Sequence, residues 1–257
     1  MLDSNSMHNG DCLVVMQSIP DKSIDMILCD LPYGTTQCKW DVIIPFDLLW
    51  YQYERIIKDD GAIVLFGSEP FSSHLRLSNL KYYKYDWIWD KIKGTGFLNA
   101  KKQPMRNHET ISVFYKSQCT YNPIKTSGHS NKKSFRGKHL QTEVYGSMNN
   151  DYTYESTDRY PRSIQEFSTD TQNEPIHPTQ KPVALCEYLI KTYTNEGDLV
   201  LDNAAGSMTT AISCINTKRN FIAIEKDSDI FKSGHDRVLE HTKMWKADFF
   251  NMFQIHT

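Results

Sequence analysis

Short unbroken apolar runs alternate with stretches of helical periodicity along most of the chain, and this alternation predicts the elements. "DMILC" (25–29) and "GAIVLFG" (61–67) read as buried strands. Between them, "FDLLWYQYERIIK" places Phe46, Leu49, Trp50, Tyr53, Ile56 and Ile57 on one helical face. "YDWIWDK" (85–91) and "TISVFYK" (110–116) read as two more strands. Residues 117–175 break the rhythm: Ser, Thr, Asn, Lys and Tyr dominate, and neither a helical nor an alternating period survives. The rhythm resumes with the helix "PVALCEYLIKTY", opened by Pro182. The strand "DLVLD", the helix "SMTTAISCINT", the strand "NFIAIE" and a last helix from about Asp227 follow. Repeated strand, helix, strand order predicts an α/β fold with a doubly wound, mostly parallel sheet and helices on both faces. Its two halves, 1–116 and 176–257, form one core interrupted by the polar insert 117–175.

Bulk properties narrow the class. The 257 residues suit one core plus an insert, and the 39% hydrophobic and 23% charged content suits a globular protein. No apolar run approaches the ~18–20 residues of a membrane span, and the start "MLDSNSMHNGD" lacks a secretory layout, so a cytoplasmic protein with no membrane partner is expected. Cys12, Cys29, Cys38, Cys119, Cys186 and Cys214 form no C-x-x-C pair and have no His at ligand spacing, so no metal site is expected. The net charge is −2, yet Lys116, Lys125, Lys132, Lys133, Arg136 and Lys138 lie in a stretch with no Asp or Glu. Such a patch suits a phosphate backbone, or is a solvated loop.

"LVLDNAAGSMTTAISCINTKRNFIAIE" is strand, small-residue loop, helix, strand and acid. Ala204, Ala205 and Gly206 let the backbone approach a ligand, the next helix offers free N–H groups, and Glu225 ends the second strand where a ribose-binding carboxylate belongs. The loop has a single glycine, unlike the tight turn a pyrophosphate requires. Asp202 would repel phosphate but suits a cationic ligand. S-adenosylmethionine (SAM), with its sulfonium, ammonium and ribose, fits both acids.

"CDLPYG" (29–34) follows the strand 25–29 and puts Asp30 at a carboxyl end, where ligands sit in open α/β sheets. Pro32 biases Leu31 to an extended backbone. Asp30 and the Leu31 carbonyl can together accept both hydrogens of an exocyclic amine, with Tyr33 as a flat face for its ring. Two acceptors favour the state in which the nitrogen lone pair localises for methylation. Taken alone, the tetrapeptide would read as a turn; its position beside a cofactor loop points to a site.

"DLPYG" resembles the D-P-P-Y signature of amino-group DNA methyltransferases (N6-adenine or N4-cytosine), and "DNAAGSMTT" resembles their SAM loop. "NHETISVFYK" and "HPTQKPVALCEYLI" are similar to further blocks of that family, and the order, catalytic block first, is that of its permuted beta subgroup. The resemblance implies a SAM-dependent methyltransferase (Rossmann-like) fold and double-stranded DNA as partner. It implies that Asp30, Leu31, Pro32 and Tyr33 hold a flipped target base. Asp202, Asn203, Ala204, Gly206 and Glu225 would line SAM, with Asp11 and Cys12 at its adenine end. His177, Thr179 and Lys181 match the block near the methionine end, where His177 is equally placed to cap the next helix. Lys101, Lys102, Arg106, Lys132, Lys133 and Arg136 would contact phosphates, and Lys39 and Trp40 would close over the extruded base or fill its gap, unless Trp40 packs in the core.

Two positions depart from the family pattern. Leu31 replaces a proline whose carbonyl, not its ring, is used. Met208 replaces a second glycine of the SAM loop, so either the loop is rearranged or affinity is reduced. Asp at the first position goes mostly with N6 of adenine, which makes adenine the expected target and N4 of cytosine the alternative. RNA methylation and a DNA-binding relic without activity stand further off. Compact members of the subgroup are often homodimers; neither that nor a cognate restriction endonuclease is legible in the sequence.

Overall fold

The computed structural model describes residues 2–36, 38, 41–136, 141–142, 146–147, 152–169 and 180–254. Its contacts divide them into a unit of Met1–Asn122 with Ser163–Thr257 and a smaller unit, Pro123–Arg162.

The larger unit carries β1 (Ser6–Asn9), α1 (Cys12–Val15), β2 (Ile24–Cys29), α2 (Phe46–Ile56), β3 (Ile57–Gly67), α3 (Phe71–Ser78), β4 (Tyr83–Thr95) and β5 (Arg106–Phe114). The smaller unit holds β6 (Lys132–Arg136), β7 (Gln141–Thr142), β8 (Gly146–Ser147) and β9 (Tyr152–Ser156). The larger unit resumes with β10 (Ile164–Glu166), α4 (Val183–Tyr193), β11 (Leu199–Asp202), α5 (Thr209–Thr217), β12 (Asn220–Glu225) and α6 (Ser228–Gln254).

Eight strands form one sheet in the order β1-β12-β11-β2-β3-β5-β4-β10. All neighbours are parallel except at β5, which runs antiparallel to both β3 and β4. The strands are apolar on both faces because both are covered. Met26, Leu28, Val64, Phe66, Val200 and Ala223 pack with α4, α5 and Val238 of α6. Ile27, Cys29, Ile63, Leu65, Leu201 and Ile222 pack with α1, α2 and α3. Unbroken runs in the sequence thus encode two alternating rows, one for each layer.

The expected α/β core is present, with differences at its margins. The helix read through Lys58 ends at Ile56, because Ile57 already pairs with Ile24 of β2. β1, α1 and α3 were not foreseen, being too short for a clear period. The stretch 117–175 is not without elements: β10 joins the sheet edge beside β4, and β6 pairs with β9 inside the smaller unit. These strands are short and mostly polar or aromatic, so no apolar run marks them.

Candidate active site

Side-chain parity at the carboxyl edge of the sheet gathers the charged residues. Asp30 continues the row Met26, Leu28; Asp202 follows Val200; Glu225 follows Phe221 and Ala223. Since β5 runs backwards, its first residues lie at the same edge, and Glu109 precedes Ile111 and Val113 on this face. Lys91 of β4 likewise follows Trp87 and Trp89. β2 and β11 are adjacent, so Asp30 and Asp202 come from neighbouring strand ends, the place where α/β sheets bind ligands.

A cavity of about 820 Å³ opens there, lined by Asp11, Cys12, Asp30, Leu31, Pro32, Tyr33, Lys181 and Glu225, and by the loop 202–207. The expected base-holding and cofactor residues that are described therefore share one cavity. Lys39, Trp40, His177 and Thr179 lie outside the described residues.

Both oxygens of Asp30 are engaged. Tyr33 Oη donates to Oδ1 at 2.6 Å, and Lys181 Nζ donates to Oδ2 at 2.5 Å. Lys181 also pairs with Glu109 Oε2 at 3.3 Å, and Lys91 Nζ donates to Glu109 Oε1 at 2.5 Å. Two cations and two carboxylates form a balanced chain whose central side chains are only 9% (Lys181) and 13% (Glu109) exposed. Burial raises the Asp30 carboxyl above its ordinary value and Glu109 adds to this, while Lys181 and the Tyr33 hydroxyl oppose it. Against the effect of burial, Lys181 and Lys91 hold Glu109 below its ordinary value. Burial would lower the Lys181 ammonium, but the two carboxylates override it and raise it. Lys181, expected at the methionine end of a cofactor, thus bonds to Asp30 itself.

Tyr33 stacks on Phe71 of α3, ring centroids 4.9 Å apart at 28°, so one face of the ring is fixed by the fold. The loop beyond is organised by buried Asp41, which accepts from the N–H groups of Gly34 (2.8 Å), Thr35 (2.9 Å) and Thr36 (2.7 Å). Burial pushes the Asp41 carboxyl up, but these donors outweigh it and hold it below the usual range. Gly34 has φ +67°, and a Cβ there would lie 2.9 Å from the Ile43 side chain.

The loop 202–207 is built as tightly. Glu225 Oε2 accepts from Gly206 N at 2.8 Å, and Oε1 accepts from Asp227 N at 2.8 Å. β1 pairs with β12, and Gly10 N donates to the Glu225 carbonyl at 2.9 Å, which brings Asp11 beside Glu225 from the far end of the chain. Asp11 caps α1 through Leu13 N (3.0 Å) and pairs with Lys226 (2.9 Å). Burial raises the Asp202 carboxyl to about 6. Asn203 Oδ1 accepts from Tyr53 Oη at 2.5 Å, while its buried Nδ2 has no hydrogen-bond partner among the described residues.

Met208 has φ +61°, yet its side chain is fully buried in the core and does not line the cavity. Room for it comes from Gly234 in α6, where a Cβ would stand 2.7 Å from Met208 Cγ and 2.7 Å from the Gly206 carbonyl. The loop keeps its left-handed turn and directs the extra side chain away from the ligand space. Arg237, one turn on, donates to the Ser207 carbonyl at 2.7 Å.

Lys101, Lys102 and Arg106 are exposed around the β4–β5 hairpin. In the smaller unit Lys132 is exposed, Lys133 pairs with Glu155 at 2.8 Å across the β6–β9 hairpin, and Lys125 lies over Tyr160. Of Arg136 only the backbone is described. The basic patch is thus less free than its sequence suggests, since strand pairing brings in an acid from outside the stretch.

The sequence reading missed Lys91, Glu109, Asp41 and Phe71. A signal existed for two of them: each of Lys91 and Glu109 puts a charge at the end of an apolar alternating row.

A model of the N6/N4 DNA methylase family matches residues 24–235. The chain belongs to this DNA methylase family. Type II methyltransferase M1.MboII of Moraxella bovis is 27% identical over 252 residues, covering 89% of this chain and 94% of its own length. DNA adenine methyltransferase YhdJ of Escherichia coli (strain K12) is 26% identical over 260 residues, covering 92% and 83%. Among solved structures, the M1.HpyAVI-SAM complex matches with a TM-score of 0.62 at 22% identity, over 91% of this chain and 98% of that one. The PvuII DNA methyltransferase (cytosine-N4-specific) matches with 0.66 at 17% identity, over 96% and 93%. These likenesses establish the α/β methyltransferase fold. In this DNA methylase the Asp30 block precedes the Asp202 loop in the chain, while the sheet places them on adjacent strands.

Proposed function

We propose that this methylase transfers a methyl group from SAM to the exocyclic N6 of an adenine flipped out of double-stranded DNA. The observation that carries the reading is one cavity holding both the Asp30–Tyr33 pair and the Asp202–Gly206 loop with Glu225. The residues fit SAM: the unpartnered Asn203 Nδ2 offers a donor, Asp202 an acceptor for an ammonium, and a Cβ at Gly206 would meet nothing within 4 Å. Glu225 keeps lone pairs for ribose hydroxyls beyond its two backbone bonds.

Bound SAM supplies an activated methyl group on a sulfonium. Asp30 and the Leu31 carbonyl accept the amino hydrogens, which localises the nitrogen lone pair. As the N–C bond forms and the methyl–sulfur bond of the sulfonium breaks to leave a thioether, the positive charge passes to the nitrogen, which then sheds one hydrogen as a proton to solvent. Tyr33, backed by Phe71, stacks on the base, and its hydroxyl fixes the Asp30 carboxylate. Lys181 opposes the upward effect of burial on the Asp30 carboxyl and so favours its ionised, accepting form. Asp at this position, together with a relative named as an adenine methyltransferase, favours adenine over cytosine.

The test is nucleoside mass spectrometry of unmethylated genomic DNA after incubation with protein and SAM, followed by sequencing that maps the modified positions. N6-methyladenine, absent with Asp30→Ala, is expected. N4-methylcytosine would keep the mechanism and change the base; methylation of RNA alone, or SAM binding without any methylated base, would overturn the reading.

A further inference from the structure

The β4–β5 hairpin leaves the sheet at the cavity and ends in an ordered apolar tip. Lys91 and Thr95 on its outgoing strand line the cavity. The Thr95 hydroxyl donates to the Arg106 carbonyl at 3.1 Å and closes the neck. Beyond it Gly96 turns the chain at φ +87°, and a 3-10 turn, Phe97–Asn99, follows. Asn99 N donates to the Gly96 carbonyl (2.9 Å), Ala100 N to Phe97 (3.0 Å) and Lys102 N to Asn99 (2.8 Å). This folded tip presents Phe97 at 78% and Leu98 at 98% exposure, with Ile92 and Met105 exposed behind them.

Single exposed apolar residues are ordinary, but two adjacent large ones on a hydrogen-bonded turn are costly unless something covers them. Charge identifies the cover. Exposed Lys93, Lys101, Lys102 and Arg106 flank the tip in the chain, and no Asp or Glu occurs between 91 and 108. A second copy meeting this patch about a two-fold axis would bring like charges together, whereas a nucleic acid offers phosphates to the rim and base faces to the centre. Phe97 lies two residues beyond cavity-lining Thr95, at most ~7 Å of chain. At most two residues of chain therefore separate the tip from the cavity that a base would enter.

We infer that Phe97 and Leu98 form a wedge that enters duplex DNA beside the target base and occupies the gap its extrusion leaves. Apolar side chains inserted between bases replace lost stacking, while phosphate contacts from the flanking cations hold the duplex in place. This rests on the proposed transfer to DNA and adds to it the element that makes the base available.

The experiment compares wild type with the double variant Phe97→Ala/Leu98→Ala on two duplexes carrying the mapped site: one fully paired, one with the target base opposite an abasic position. Both substituted side chains are exposed, and an unchanged Tm is expected. On paired DNA kcat/KM falls by roughly 10- to 100-fold. Opposite an abasic position, where extrusion is easier, the variant comes back to within about 3-fold of wild type. The salt slope of binding stays unchanged in this variant but falls by about 2 in Lys101→Ala/Lys102→Ala. Equal loss on both substrates, or no loss on paired DNA, overturns the wedge while leaving methyl transfer intact. So does a dimer in wild type that sediments as a monomer in the variant, because a second copy would then cover the tip. A wild-type protein that methylates neither substrate overturns the proposed function, and the wedge with it.

Discussion

Lys181 shows how one residue acquires its role from its neighbours. An unpaired buried ammonium would release its proton, but Asp30 at 2.5 Å and Glu109 at 3.3 Å raise its pKa and keep it charged. Its charge in turn opposes the upward effect of burial on Asp30. Lys181→Met should therefore move the acidic limb of the kcat–pH profile to higher pH, while Lys181→Arg largely restores it. Tm should also fall in the Met variant, since breaking a buried pair costs about 3–5 kcal/mol; an unmoved limb would leave Lys181 a purely structural role. Asp202 gives a second pH effect. With its carboxyl raised to about 6, an ammonium ligand finds it ionised only above that pH. SAM affinity measured by calorimetry should rise through pH 6, and Asp202→Asn should flatten the rise. The same upward shift means the unliganded fold loses stability as pH climbs from the ordinary carboxylate range through about 6.

Elements matter through the surfaces they press on the site. α6 is read from the sequence only as a final helix, yet its Gly234 is what admits Met208 beneath the cofactor loop. Gly234→Ala should displace that loop, since one of the atoms it meets is a backbone carbonyl. A loss of about 1–3 kcal/mol in stability and weaker SAM binding are expected from denaturation and calorimetry. Met208→Gly decides between two opposing effects. Relief of a left-handed non-glycine residue is worth about 1–2 kcal/mol, whereas emptying a fully buried methionine costs about 2–5 kcal/mol. The variant should be less stable, and a gain would mean that backbone strain dominates. α4 acts similarly: Leu185, Leu189 and Tyr193 anchor it in the core, and that fixes Lys181, two residues before its start.

Across the whole molecule, the proposed DNA contacts predict a response to salt. Lys132 is exposed and Lys133 is shared with Glu155, so Lys132→Ala should reduce the log–log salt slope of DNA binding by about 1 and Lys133→Ala by less. Equal effects would mean that the Glu155 pair opens on binding. Much of the architecture was legible because apolar runs and helical periods report burial directly: the strands at 24–29, 199–202 and 220–225 and the helices at 46–56 and 183–193 lie where the pattern puts them. That Asp30, Asp202 and Glu225 lie at the carboxyl edge of the sheet was legible for a related reason, since each stands at or just after the last residue of an apolar strand run. The pairing of Lys91 with Glu109 was not, although each leaves a signal of its own, because an ion pair depends on which strands are neighbours and in which direction they run. Here the reversed β5 brings its first residues to the edge where the parallel strands finish. The sequence by itself therefore determined the longer core strands and helices, the burial of the sheet on both faces and the residue types at the strand ends, all set by local period and backbone chemistry. Tertiary structure alone decided which charge meets which, how Asp11 comes beside Glu225, and where the side chain of Met208 goes, because these depend on through-space distances between segments far apart in the chain.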